Sequence, residues 1–248
     1  MSRLATIIDS VALPALRLPI AGLDAADHRA FPGRRACVIY LQGCPLRCGY
    51  CENPQMTTPR RGSAREWETI HRFLAERREG LEAVVFSGGE PTLHAGLDAA
   101  VAEVKALGLA VGLHTAGPYP ERLAALLPHL DWVALDVKGR GRDFDRVCGR
   151  TGIWRRHVRS LEMLLASGVA HECRTTVHWQ DFGLADLERL ALTLADCGVR
   201  RYVLQPARTD QCLDPEYCRP VPGAPSLAAL DALVRRLRPH FTHIELRH

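Results

Sequence analysis

Residues 36–51 read ACVIYL and then, without a break, QGCPLRCGYC. A six-residue apolar run with β-branched and aromatic side chains reads as a buried strand. Gly43 and Pro45 turn the chain out of it into a loop that carries three cysteines, Cys44, Cys48 and Cys51. The same grammar repeats downstream. Further strands are expected near 83–86, 110–113, 132–135, 172–177 and 201–204, which makes six, with a last strand at 243–246. Helical periods are expected between them, near 64–78, 95–106, 120–127, 153–165 and 184–195, and again at 226–237. Alternating strand and helix implies a parallel sheet. Six such units predict an α/β fold, a partial (β/α)6 TIM-like barrel, whose ligand site lies at the C-terminal ends of the strands. Residues 1–35 are expected to be a short extension packed on the barrel, and residues 36–248 the barrel domain. The proline-rich stretch 205–225 reads as a long functional loop.

The chain has 248 residues, enough for one domain of this size; 47% are apolar, 24% are charged and the net charge is +4. That composition argues against disorder and fibrous repeats. The surplus charge is small and its arginine clusters are dispersed, so no nucleic-acid partner is expected. Asp9, Pro14 and Arg17 interrupt the N-terminal apolar stretch and no run reaches membrane-spanning length, so no membrane association and a cytoplasmic location are expected. Nine cysteines, an odd number, then read as thiols and metal ligands before they read as a disulfide framework.

Three thiolates spaced CxxxCxxC can wrap one metal centre. Zinc would want a fourth soft or imidazole ligand nearby, and no Cys or His follows Cys51 until His71. A 4Fe-4S cluster on three thiolates instead leaves one iron open to a chelating ligand. The second strand ends in Gly88-Gly89-Glu90, where paired glycines permit a close backbone approach. The third ends in His114 and Thr115, the fourth in Asp136 and Lys138, and the fifth carries Arg174. Lys138 is one of only two lysines among 32 basic residues, which suggests a site wanting a compact ammonium. Taken singly, these motifs are also compatible with an ordinary turn, a surface ion pair and a strand arginine.

Together, the cysteine loop with Tyr50 before its last cysteine resembles the radical S-adenosylmethionine superfamily signature. The resemblance implies one 4Fe-4S cluster on Cys44, Cys48 and Cys51, with S-adenosylmethionine bound near Tyr50, Gly88, Gly89, Glu90, His114, Thr115, Asp136, Lys138 and Arg174. In that family, reductive cleavage of the cofactor yields an adenosyl radical. Residues 31–35, Gln42-Gly43 and Glu52-Asn53-Pro54 narrow the likeness to the glycyl-radical-enzyme activating enzymes, and among them the chain is most similar to the anaerobic ribonucleoside-triphosphate reductase activating proteins. The implied partners are a glycyl radical enzyme as protein substrate and a low-potential donor such as flavodoxin or ferredoxin.

Two positions depart from that pattern. His114 stands where activases often carry an acidic residue of a monovalent cation site, and Gln205-Pro206 stands where a cofactor-contacting histidine can occur. No ferredoxin-like cysteine run follows the triad, so a single cluster is expected. Cys37, Cys148, Cys173, Cys197, Cys212 and Cys218 read as small buried or loop thiols. The competing readings are a radical enzyme acting on a small molecule, resembling 7-carboxy-7-deazaguanine synthase, and a non-catalytic zinc module; iron and sulfide analysis separates the last from the others.

Overall fold

The structure, a computed structural model, describes residues 16–247. Most of the interrupted N-terminal apolar stretch, and the first part of the expected extension, residues 1–15, lie outside the described residues. The strands are β1 (Ile20–Asp27), β2 (Ala36–Leu41), β3 (Ala83–Gly88), β4 (Ala110–Thr115), β5 (Trp132–Asp136), β6 (His171–Val177), β7 (Arg201–Pro206) and β8 (His243–Leu246). They form one sheet in the order β1 to β8. β1 runs antiparallel to β2, and every later neighbour is parallel. The helices are α1 (Ala64–Arg77), α2 (Leu97–Ala106), α3 (Pro120–Leu126), α4 (Gly141–Val147), α5 (Ile153–Ser167), α6 (Leu184–Asp196) and α7 (Leu227–Leu237).

The six expected βα units are β2 to β7, and β8 adds the further parallel strand. β1 extends the sheet at its other edge. Its sequence, IAGLDAAD, is short in apolar bulk and half-exposed, which is why composition alone leaves it as extension. α4 was equally invisible: GRDFDRV is seven residues long, opens on glycine and buries only Phe144 and Val147.

Alternate residues of each strand serve different cores. Ile39, Leu41, Val84, Phe86, Val111, Leu113 and Leu135 pack with Leu74, Val101, Leu164, Leu190 and Leu233 of the surrounding helices. The opposite face carries a second core, in which Val38, Val85 and Ala110 meet Phe31 and Trp132. Because both faces are buried, the strands read as continuous apolar runs. Phe31 fills that interior so closely that a Cβ on Gly112 would lie 3.2 Å from its ring.

Candidate functional site

The cysteine loop leaves the C-terminal end of β2 and is tied down by backbone bonds. Gly43 N donates to Met56 O at 2.7 Å, Cys44 N to Thr57 O at 3.2 Å, and Cys51 N to Cys48 O at 3.0 Å. The Gln42 amide donates to the carbonyls of Gln55 and Thr58 at 2.7 and 2.8 Å. Cys48 and Tyr50 are buried in an apolar pocket with Leu46, Ala116, Phe144 and Cys148, against which Cys44 and Cys51 pack half-buried. Three thiolates on one short loop are the number that a cubane with one open iron takes, one thiolate to each of three irons, where a tetrahedral structural zinc site takes four ligands; the chemistry of the donor set thus suits the cluster.

Gly88 at the end of β3 and Gly89 just after it are needed first for packing. Gly88 has φ of 117°, and a Cβ there would lie 2.3 Å from Leu41 N; one on Gly89 would lie 2.2 Å from Gly43 O. The two N–H groups that follow are used internally, Gly89 N on Leu41 O and Glu90 N on Gly43 O, both at 2.9 Å. Glu90 is fully enclosed. Its Oε1 accepts from Thr92 N at 3.0 Å, Thr92 Oγ1 at 2.5 Å and Thr115 Oγ1 at 2.7 Å, and its Oε2 accepts from Ala116 N at 3.0 Å. Burial raises its pKa against the pull of these donors. Glu90 and Thr115 thus brace the ends of β3 and β4 against each other.

Buried Lys138 and half-buried Asp136 and Arg174 form a charged group on the interior face. Arg174 Nε donates to Asp136 Oδ1 at 2.9 Å, Lys138 Nζ lies 3.7 Å from Asp136 Oδ2, and Lys138 Nζ donates to the Tyr50 hydroxyl at 3.2 Å. Burial opposes the Asp136 carboxylate, but Arg174 and Lys138 outweigh it and hold its pKa below the ordinary value. Burial likewise opposes the Lys138 ammonium, but the acidic groups around it outweigh burial and raise its pKa well above that of a free lysine. Burial keeps the Tyr50 phenol protonated. Two cations face one carboxylate here, which suits a ligand that brings a further carboxylate.

His114 lies beside this group with both ring nitrogens engaged: Nε2 is 2.8 Å from Ala30 O and Nδ1 is 3.4 Å from Arg174 Nη1. Burial, then Arg174, lowers its pKa to about 3. The neutral tautomer protonated on Nε2 satisfies both contacts. His114 therefore anchors the segment around Ala30 and orients Arg174.

Sequence reasoning missed a clamp on the other side. Arg146 Nη1 and the Tyr217 hydroxyl both donate to Asp181 Oδ1, at 2.8 and 3.1 Å, and His178 Nε2 lies 3.0 Å from Tyr217 O. Tyr217 belongs to the proline-rich loop and packs over Gly49, where a Cβ would lie 2.3 Å from its ring. Leu213 N and Asp214 N of that loop donate to Cys51 O and Gly49 O at 3.0 and 3.1 Å. The loop is thus fastened over the cysteines. Behind it, a cleft of about 390 Å³ opens between the ends of β6 and β7, lined by His178, Trp179, Pro206, Thr209, Cys218 and Arg219. Only the length and proline content of this loop were visible as a signal in the sequence.

Known proteins resemble the chain throughout this region. The profile of the Radical SAM superfamily matches residues 38–194. A Methanocaldococcus jannaschii protein assigned as a glycyl-radical enzyme activating enzyme is 30% identical over 238 residues, 90% of this chain and 93% of the relative. A 7-carboxy-7-deazaguanine synthase of Rhodopirellula baltica is 26% identical over 60% of this chain, which spans just over half of that enzyme, 57%. Among solved structures, QueE from Escherichia coli superposes with a TM-score of 0.58 at 18% identity, covering 94% of each chain.

Proposed function

The chain belongs to the Radical SAM superfamily, and on that premise we propose that it is an activase that installs a glycyl radical in a partner enzyme, with anaerobic ribonucleoside-triphosphate reductase as that partner. As a member of the superfamily it is an enzyme that uses a 4Fe-4S cluster and S-adenosylmethionine. The observation that carries the narrower reading is the end-to-end similarity to the assigned activase, 90% of this chain against 60% for the deazaguanine synthase.

In this reading Cys44, Cys48 and Cys51 hold the cluster. When bound, the cluster and S-adenosylmethionine supply hydrogen-atom abstraction. The chain's own residues bind and orient. Lys138 and Arg174 receive the methionyl carboxylate, because they carry one positive charge more than Asp136 cancels. The turn at Gly88 and Gly89 meets the methionyl amine through carbonyl oxygens, since the following N–H groups are already spent. Tyr50 excludes water beside the cysteines, and Glu90 with Thr115 keeps the strand ends in register. The segment 207–225 lies over the cysteine loop, and the glycine-bearing strand of the partner enters beside it. A low-potential donor such as flavodoxin or ferredoxin delivers the electron.

The test is anaerobic incubation of the reduced enzyme with S-adenosylmethionine and the class III ribonucleotide reductase of the same cell. Electron paramagnetic resonance should show a glycyl doublet that disappears when the target glycine is changed to alanine. The similarity to deazaguanine synthases favours a second reading, a small-molecule substrate. Turnover of a small heterocycle, with no doublet on any glycyl-radical protein of the host, decides for it.

A further inference from the structure

The cysteine loop is held at its two ends by different parts of the chain. At the Gly49–Cys51 end lies the proline-rich loop, with Leu213 N on Cys51 O and Asp214 N on Gly49 O. At the Pro45–Arg47 end lies the turn between α4 and α5. Arg47 N donates to Cys148 O at 2.8 Å, and Arg150 Nε donates to Pro45 O at 3.0 Å. Gly149, at φ of 59°, sits so close that a Cβ would stand 2.8 Å from Arg47 O.

The two ends differ in charge. On the proline-rich loop, Arg208 faces Glu52 at 3.8 Å and Arg219 faces Glu216 at 2.8 Å. At the other end Arg47 and Arg150 are exposed, and among the described residues their guanidinium groups meet backbone carbonyls and no carboxylate. Arg47 Nη1 donates to Cys44 O and Leu46 O, both at 2.8 Å, and Arg150 to Pro45 O as above. Arg155 and Arg156 follow in the first turn of α5, exposed and equally without an ion pair among the described residues. The carboxylate in this stretch, Asp145, spends its oxygens on Gly152 N and Trp154 N, at 2.7 and 2.8 Å. A positive patch is thereby fixed to the loop that carries the three cysteines.

We infer that this patch, centred on Arg47 and Arg150, is the docking surface for the electron donor, an acidic low-potential carrier protein. The inference rests on the reading of Cys44, Cys48 and Cys51 as the holders of a 4Fe-4S cluster. One electron passes from the reduced carrier to that cluster, the carrier being oxidised and the cluster reduced by one equivalent each. Such transfer needs a short path, and a partner seated on Arg47 stands on the ligand-bearing loop itself. It also needs quick release, and electron-transfer encounters are accordingly small, with charge complementarity steering them. Guanidinium groups already hydrogen-bonded to backbone lose little freedom on docking. The proline-rich side, whose arginines are neutralised, stays open to the protein substrate.

The experiment compares wild type, Arg47→Gln with Arg150→Gln, and Arg47→Lys with Arg150→Lys, each reconstituted anaerobically. Isothermal titration calorimetry measures the affinity for oxidised flavodoxin at low and high salt. Stopped-flow absorbance measures cluster reduction by reduced flavodoxin and by photoreduced deazariboflavin, a small uncharged reductant. At low salt the glutamine variant should bind flavodoxin about three- to tenfold more weakly, the loss of two exposed charge pairs. Its reduction by flavodoxin should slow in proportion, while its reduction by deazariboflavin stays unchanged. The lysine variant, which keeps both charges, should stay near wild type, and high salt should erase the differences. Equal affinity of the wild type and the glutamine variant, or a wild-type affinity indifferent to salt, overturns the inference. Equal weakening in the lysine variant, or slowed reduction by deazariboflavin, also overturns it, because the arginines would then be props of the loop. Wild-type protein that takes up no cluster refutes the underlying reading of the cysteines, and iron content alone tells that failure apart.

Discussion

Lys138 is one of two lysines in the chain, and its surroundings explain why an arginine would not serve. Its Nζ sits between the Tyr50 hydroxyl and Asp136, 5.4 Å above the Tyr50 ring centre, with the residue almost wholly enclosed. A planar guanidinium fork needs more room and a different set of acceptors. Lys138→Ala should keep the iron content of the wild type but weaken S-adenosylmethionine binding by about tenfold, the loss of one charge-assisted hydrogen bond. Lys138→Arg should fail to restore it, and anaerobic equilibrium dialysis measures both. Cys44→Ser, Cys48→Ser and Cys51→Ser should each lose the four-iron cluster and abolish cofactor cleavage, as read by iron analysis and by release of 5′-deoxyadenosine. Cleavage retained in any of the three removes that cysteine from the ligand set.

At the scale of elements, the end of β3 couples strand pairing to the site. A side chain at Gly88 collides with the backbone of Leu41 within the β2–β3 pair, not only with a ligand. Gly88→Val should therefore lower the yield of folded protein and the iron content together, rather than affinity alone; full iron loading with weak cofactor binding would show that the collision is relieved. At the start of α1, Ser63 and Glu66 form a capping box, with Glu66 N on Ser63 Oγ at 3.3 Å and Ser63 N on Glu66 Oε2 at 2.8 Å. Ser63→Ala should cost about 1 kcal/mol in denaturant unfolding. The Arg60 hydrogen bond and the cap lower the Glu66 pKa from 4.5 to about 2. A carboxylate depressed in this way adds stability above the unfolded value, and that contribution is lost as pH falls from about 4.5 towards 2. The difference in melting temperature between wild type and Glu66→Gln should accordingly shrink across that window; a difference independent of pH refutes the charge as its source.

On the scale of the whole molecule, the open sheet is secured at its far edge by a contact spanning β6 to β8. Arg247 holds the buried carboxylate of Glu172 with two hydrogen bonds, at 2.9 and 3.1 Å, and pairs with Glu245 at 2.6 Å. Its backbone N also donates to Leu204 O at 2.9 Å. Removing the guanidinium would strand Glu172, which is 2% exposed, and uncompensated buried charges cost about 3–5 kcal/mol. Arg247→Ala should show that loss in urea unfolding, and adding Glu172→Gln should recover part of it. Equal stability of the single and double variants would mean that the pair does not fasten the edge.

The order of the βα units and the cysteine loop was settled by the sequence alone, because both are local. A strand, a turn and three thiols spaced within eight residues depend on neighbours in the chain, and the apolar period survives any tertiary arrangement. What each polar strand residue touches was not legible. With both sheet faces buried, no alternation of apolar and polar residues marks which side chains turn inward, so Arg174 could not be assigned to Asp136, nor His114 to the carbonyl of Ala30, 84 residues earlier. The tertiary structure decided these pairs through strand register, which sets Asp136 opposite Arg174. It likewise decided the environment of Cys48, because only the packing of α4 against the cysteine loop brings Phe144, Val147 and Cys148 into one buried cluster with it.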